Sequence, residues 1–324
     1  MRRLLKWLGG TLLAAALVLA TIVLVRAFDA RRQPALGPWH RVRPRSELRA
    51  REMTAGFTLA DYLRREEAVL REVHEEVSSR LSAEERTRAN RFFEESPMHR
   101  SHFATDWNRT FEMIPENIRG GALLIHGLTD SPYSMRRLAR ILQEQGLTVL
   151  CLRMPGHGTV PGALTDVAWE DWMAAIRVGA RHVRARAGKG RPFVVVGYSS
   201  GGGLAVKYAL DALRDPELPK PDRVVLFSPM IGVTRFAKLA RPVSSLGSFS
   251  YFEKSKWIEV LPEYIPFKYN SFPANAAYQS FRLTRALGEE IDSAARSGRI
   301  SELAPILAFQ SLVDFTVSTH AVVH

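Results

Sequence analysis

Four short apolar runs punctuate the middle of the chain: GALLIHG (121–127), LTVLCLRM (147–154), PFVVVG (192–197) and RVVLFS (223–228). Each ends at a glycine or is followed at once by a proline, and each is too short and too evenly apolar to be an amphipathic helix. Such runs are strands buried on both faces. Between them lie SMRRLARILQEQG, the stretch from Trp169 to Arg186, and GGLAVKYALDAL, all with helical spacing. Strands that alternate with helices pair in parallel, because a parallel neighbour is reached only through a crossover. The class is therefore α/β, a mostly parallel sheet with helices on both faces, and ligands of such sheets bind at the carboxyl ends of the strands.

At 324 residues and 46% hydrophobic, the chain can bury a full core. No repeat is visible. The single cysteine, Cys151, falls inside an apolar run and reads as a buried strand residue. The net charge is +12, yet residues 26–52 alone hold eight arginines against three acids. That strip directly follows Leu8 to Val25, eighteen residues without a charge. A helix of that length is roughly 27 Å long and matches the hydrocarbon core of a bilayer. A basic strip beside such a segment fits attraction to anionic lipid, and no nucleic-acid partner is expected. An uncleaved single-pass anchor over residues 1–27 is the preferred reading. A signal peptide cleaved after Val25-Arg26-Ala27, with secretion, is the alternative. RRLLK at positions 2–6 faintly resembles a twin-arginine signal. Arg2, Arg3 and Lys6 favour an inside N-terminus, whereas Arg26, Arg31 and Arg32 oppose it.

Residues 28–104 read as a basic linker followed by an amphipathic helix. RRQPALGPWHRVRPR suits extended chain. Thr58 and Asp61 form a capping box, and Leu63, Leu70, Val73, Val77 and Leu81 predict a helix over 59–81. His99 and His102 lack further ligands nearby and read as surface histidines, so no metal site is expected.

The turn after the third run is Gly197-Tyr198-Ser199-Ser200-Gly201. It fails the dinucleotide spacing G-x-G-x-x-G in both registers, and Gly188-Lys189-Gly190 lacks the hydroxyl of a phosphate loop. It matches G-x-S-x-G, in which the serine sits at a strained strand-to-helix corner flanked by residues too small to strike the backbone. Ser199 is the nucleophile and Ser200 is not. Gly202 and Gly203 are expected to let the helix approach adjacent strands. A serine nucleophile needs two N–H donors for the developing oxyanion. Ser200 supplies one at the start of the helix and Leu128, after His126-Gly127, the other. His126 in that loop reads as a packing and hydrogen-bonding residue.

In combination, LLIHGLTDSPYSMRRLARIL, LRMPGHGTVP, WEDW and VVVGYSSGGGLAVKYAL resemble the α/β-hydrolase fold. The branch they resemble is that of monoacylglycerol lipases, bacterial carboxylesterases and lysophospholipase-like serine hydrolases. The likeness spans roughly residues 105–320. It implies that Leu128 and Ser200 form the oxyanion hole and that Ser199 attacks the acyl carbon. It further implies that Asp314, closing APILAFQSLVD (304–314), is the acid that orients the base. Asp211 and Asp292 read as surface charges. The domain is expected to fill 105–324, with a cap insertion over about 230–303. The family's order is serine, acid, histidine, the histidine following one more strand, and that strand and histidine are missing from FTVSTHAVVH after Asp314. His320, His324 and the loop residue His157 are weak stand-ins, so the sequence reads as a fragment or a natural truncation.

The resulting expectation is a membrane-anchored serine hydrolase that cleaves small-molecule or lipid-like acyl esters through an acyl-enzyme, without cofactor. A peptidase of the same fold and a non-catalytic lipid- or partner-binding protein are the alternatives. Aspartate-nucleophile relatives, the epoxide hydrolases and dehalogenases, are disfavoured by the serine.

Overall fold

The structure, a computed structural model, describes residues 2–232, 247 and 249–311. The strands among these residues are β1 (Phe111–Met113), β2 (Gly120–Ile125), β3 (Leu147–Cys151), β4 (Phe193–Tyr198), β5 (Arg223–Phe227), β6 (Trp257–Glu259), β7 (Phe272–Pro273) and β8 (Ile306–Phe309). Six of them form one sheet in the order β1-β3-β2-β4-β5-β8. Only β1 runs antiparallel, pairing Phe111 with Cys151. The other pairings are parallel, with Leu123 opposite Leu150 and Val195, and Val196 opposite Val225. The four apolar runs of the sequence are four of these strands.

The described helices are α1 (Arg2–Ala30), α2 (Pro38–Arg41), α3 (Leu59–Glu76), α4 (Arg136–Glu144), α5 (Trp169–Ala187), α6 (Ser200–Arg214) and α7 (Ala274–Arg296). Alternation along the strands sends side chains to opposite faces. Leu123, Ile125, Leu150 and Val195 enter the large core against α5, α6 and α7, while Ala122, Leu124, Val149, Cys151 and Val196 enter a smaller one under α4. Cys151 is fully buried, as expected, and burial pushes its thiol well above the ordinary range.

Two expectations are corrected. The stretch read as an extended linker is folded onto the domain. Trp39 stacks on Phe92 at 5.4 Å, and His40 is buried with its Nε2 2.9 Å from Ser271 Oγ. Leu48 and Met53 lie in the large core. Charged residues around these anchors hid them from a composition-based reading. The helix after it, α3, ends at Glu76 with a 3-10 turn over Ser78–Arg80, and the capping box forms: Asp61 N–H donates to Thr58 Oγ at 3.2 Å and Thr58 N–H to Asp61 Oδ2 at 2.9 Å. Its buried face is Leu59, Tyr62, Glu66, Val69, Leu70 and Val73, and Leu63 faces solvent. The second correction concerns the cap. Its later part, α7, carries Leu283 and Leu287 into the large core, and Tyr269, just before α7, lies there too. The described residues of the insertion before α7 form a 3-10 segment, Ser250–Lys256, and the antiparallel pair β6–β7.

Over Gly9–Ala30, α1 is long and apolar enough to cross a membrane, with mean hydropathy 2.3 and little of it buried.

Candidate active site

The turn between β4 and α6 holds Ser199 at φ 55° and ψ −119°, a conformation that L-residues seldom adopt. Three hydrogen bonds fix it. Ser199 N–H donates to Phe227 O at the end of β5 (2.9 Å), and Ser199 O accepts from Gly202 N (2.9 Å) and Met230 N (2.8 Å). The hydroxyl does not cap the helix that follows. Ser199 is half-buried and Ser200 buried.

The glycines explain how the corner closes. A Cβ on Gly197 would lie 2.2 Å from Gly201 O, and one on Gly201 would lie 2.2 Å from Ile125 O. Gly202 and Gly203 make close approaches too, but not to strands: added Cβ atoms would strike Pro229 (2.6 Å) and Met230 O (2.5 Å) in the loop after β5. The helix start is thus wedged between the β2 and β5 loops.

The loop after β2 runs past the corner, with Gly127 so close that a Cβ there would sit 3.3 Å from Ser199 Cβ. Among the described residues, neither the Leu128 nor the Ser200 N–H donates to a backbone carbonyl. For Ser200 this follows from its place as the first residue of α6. His126 holds the loop. Its Nε2 accepts from Met154 N (3.1 Å), so Nδ1 carries the proton and donates to Gly127 O (2.9 Å). Both nitrogens are committed, and burial keeps the ring well below its usual pKa. Against it, 5.1 Å centre to centre, lies His157 of the PGHG loop, whose Nδ1 is 3.1 Å from Pro155 O. Burial lowers His157 to about 4. On the far side of the loop, Tyr269 N–H donates to Thr129 O (2.8 Å) and Ser131 Oγ to Phe267 O (2.7 Å), tying the loop to the segment leading into α7.

One feature was not foreseen. Arg153, fully buried just beyond β3, reaches the buried Glu47 with both terminal nitrogens (3.1 and 2.9 Å) and Glu66 of α3 through Nε (3.3 Å). Its Nη1 also donates to His157 O at 2.9 Å, and the Tyr62 hydroxyl donates to Arg153 O. The N-terminal segment therefore grips the PGHG loop from behind, and that loop packs on the His126 ring. The available sequence signal was an arginine inside the otherwise largely apolar run LTVLCLRM; its partners lie far upstream.

The structure brings Gly127, the neighbour of Leu128, against Ser199, the neighbour of Ser200. Asp314, His320 and His324 lie outside the described residues. β8, the strand expected to lead to Asp314, is present and parallel to β5, with Phe227 opposite Phe309. Asp211 is engaged by Lys207 and Arg177 on the helical layer, away from the corner.

A solved structure reported with the metagenome-derived lipolytic enzymes LipS and LipT superposes with a TM-score of 0.50 at 21% identity, covering 66% of this chain and 80% of that one. The chain has the α/β-hydrolase fold. The family model described as serine aminopeptidase, S33, matches residues 116–265 of this chain. Among curated proteins it is similar to the thermostable monoacylglycerol lipase of Bacillus sp. (strain H-257), 33% identical over 135 residues, 41% of this chain and 52% of that protein. It is also similar to a carboxylesterase of Bacillus subtilis (strain 168), 30% identical over 96 residues, 29% of this chain and 38% of that protein. The chain thus spans about half the length, or less, of the curated relatives it matches.

Proposed function

We propose that this α/β-hydrolase is a serine hydrolase of carboxylic esters with lipid-like acyl groups, held to a membrane by α1. The observation that carries the reading is the strained corner at Ser199, with Gly127 of the β2 loop against it and the N–H groups of Leu128 and Ser200 without a backbone acceptor among the described residues. In this reading Ser199 Oγ adds to the acyl carbon while an imidazole takes its proton. The carbonyl oxygen gains the negative charge, and Leu128 and Ser200 donate to it. Collapse of that intermediate expels the alcohol, which receives the proton back from the imidazole, and leaves an ester on Ser199. Water repeats the sequence in reverse and frees the acid. Asp314 orients the imidazole. His126 is unsuited to that role because both of its nitrogens are bonded, and His157 because it is shut in by Trp172 and His126.

The ester preference and the lipid-like acyl group draw on the similarity to a monoacylglycerol lipase and a carboxylesterase. The membrane anchor draws on the length and hydropathy of α1. The description of the matching family favours a second reading, a peptidase, since the same acyl transfer acts on amides. The protein expressed from its complete reading frame and assayed on p-nitrophenyl butyrate and the matching anilide separates the two. Ester turnover that S199A abolishes is the expected result. Turnover of the anilide alone favours the peptidase, and retention of activity by S199A rejects both.

A further inference from the structure

The exposed rings of the cap gather where α1 ends. Phe28 meets Phe252 edge to face at 5.7 Å, and Phe252 meets Tyr251 at 4.9 Å. The Arg31 guanidinium lies 3.8 Å above the Tyr251 ring and donates to its hydroxyl. Lys254 donates to the carbonyls of Arg31 and Gln33, and the Gln33 amide returns bonds to Trp257 O (3.2 Å) and Ile258 O (3.3 Å). Leu36 packs with Trp257 and Val260, and Ala27 and Ala30 are buried. The last turn of α1, the residues after it and the segment from Tyr251 to Val260 are therefore one packed unit.

That unit sits at a fixed depth if α1 spans a bilayer. The uncharged run ends at Val25, and Arg26 is the first charge beyond it. At the helical rise, Phe28 lies about 3 Å past Arg26 along the axis. The headgroup layer is about 5–8 Å thick on each side. Side chains in contact with Phe28 and Arg31 consequently fall within it or at its rim. Phe249 and Tyr251 are nevertheless 67% and 57% exposed, Arg31 and Lys254 belong to the same packed unit, and Arg26 and Arg32 lie close to Phe28 and Arg31 along the chain. Exposed aromatic rings mixed with cations are what a headgroup layer with anionic lipid accommodates.

We infer that Phe249 and Tyr251, with these cations, form a docking surface of the cap for the headgroup layer of an anionic bilayer, continuous with the end of α1. The inference rests on the anchor reading above and adds to it that the cap itself lies on the lipid. An ester dissolved in the membrane then meets the cap without crossing bulk water.

Because Cys151, the single cysteine, is fully buried, Phe249→Cys can be labelled selectively with an environment-sensitive fluorophore. The full chain is placed in nanodiscs of phosphatidylcholine with phosphatidylserine, and Lys189→Cys, on an exposed loop, serves as the control. The expected result is a blue-shifted label at position 249 that is quenched several-fold by brominated lipid, and an unshifted, unquenched label at 189. Weakening of the 249 signal in pure phosphatidylcholine is expected as well, because the cations then lose their partners. A chain that resists carbonate extraction yet leaves the 249 label as solvent-exposed as the 189 label overturns the docking surface alone. A chain that carbonate releases, with α1 cleaved, overturns the anchor and the docking surface together.

Discussion

Ser199 keeps its backbone in an unfavourable region because three hydrogen bonds and four glycines leave it no other arrangement. The strain is held in place by neighbours, and its cost is of order 1–3 kcal/mol. Gly201→Ala should therefore destabilise the chain by about 3 kcal/mol, because its new methyl meets the rigid Ile125 carbonyl. Gly288→Ala makes the contrasting case. That glycine lies in α7 with nothing within 4 Å of an added Cβ, so the change should stabilise by about 0.5–1 kcal/mol. Urea unfolding of the two variants checks both signs. The buried histidine His157 adds a pH dependence. Its ring stays neutral down to about 4, whereas in the unfolded chain it takes up a proton at its ordinary value of 6.5. Between those limits the unfolded state binds more protons, so His157 makes stability fall as the pH is lowered, by about 1.4 kcal/mol per pH unit in mid-window. His157→Asn should flatten the slope of unfolding free energy against pH over that window, and an unchanged slope would refute the assignment.

The elements differ in how openly the sequence announces them. β2, β3, β4 and β5 are evident because burial on both faces leaves almost no polar residue in them. α6 and its corner are evident because G-x-S-x-G has a steric reason for each glycine. α3 is harder to read. Its face includes Glu66, a charge that pattern reading sends to solvent, while Leu63, which pattern reading buries, is exposed. The reason is Arg153, which makes a carboxylate the fitting neighbour at that position. α7 reads as cap because its apolar residues are diluted by serine, arginine and glutamate on the outer face. The Arg153 cluster also links α3 to the PGHG loop and so to the His126 ring. Arg153→Met strands two buried carboxylates, and a loss of about 3–5 kcal/mol on denaturation is expected. Survival of full stability would mean that the cluster is not what holds the N-terminal segment to β3.

At the scale of the whole molecule, the segment from Leu36 to α3 is part of the α/β body and not an appendage to it. Leu48, Met53, Leu59 and Tyr62 share one core with the strands, and the residues after α1 share a second with the cap. A chain beginning at Arg26 should fold and stay soluble once the apolar run is gone. One beginning at Val77 should aggregate, because it bares that core and leaves Arg153 without either carboxylate; size-exclusion chromatography of the two distinguishes them. Asp314 falls outside the described residues, so the corner at Ser199 and the amides beside it carry the functional reading. The most direct test is peptide mapping of the protein, expressed from its complete reading frame, after reaction with a fluorophosphonate. The adduct is expected on Ser199, lost in S199A and retained in S200A; an adduct on Ser200, or none on either serine, would contradict the account.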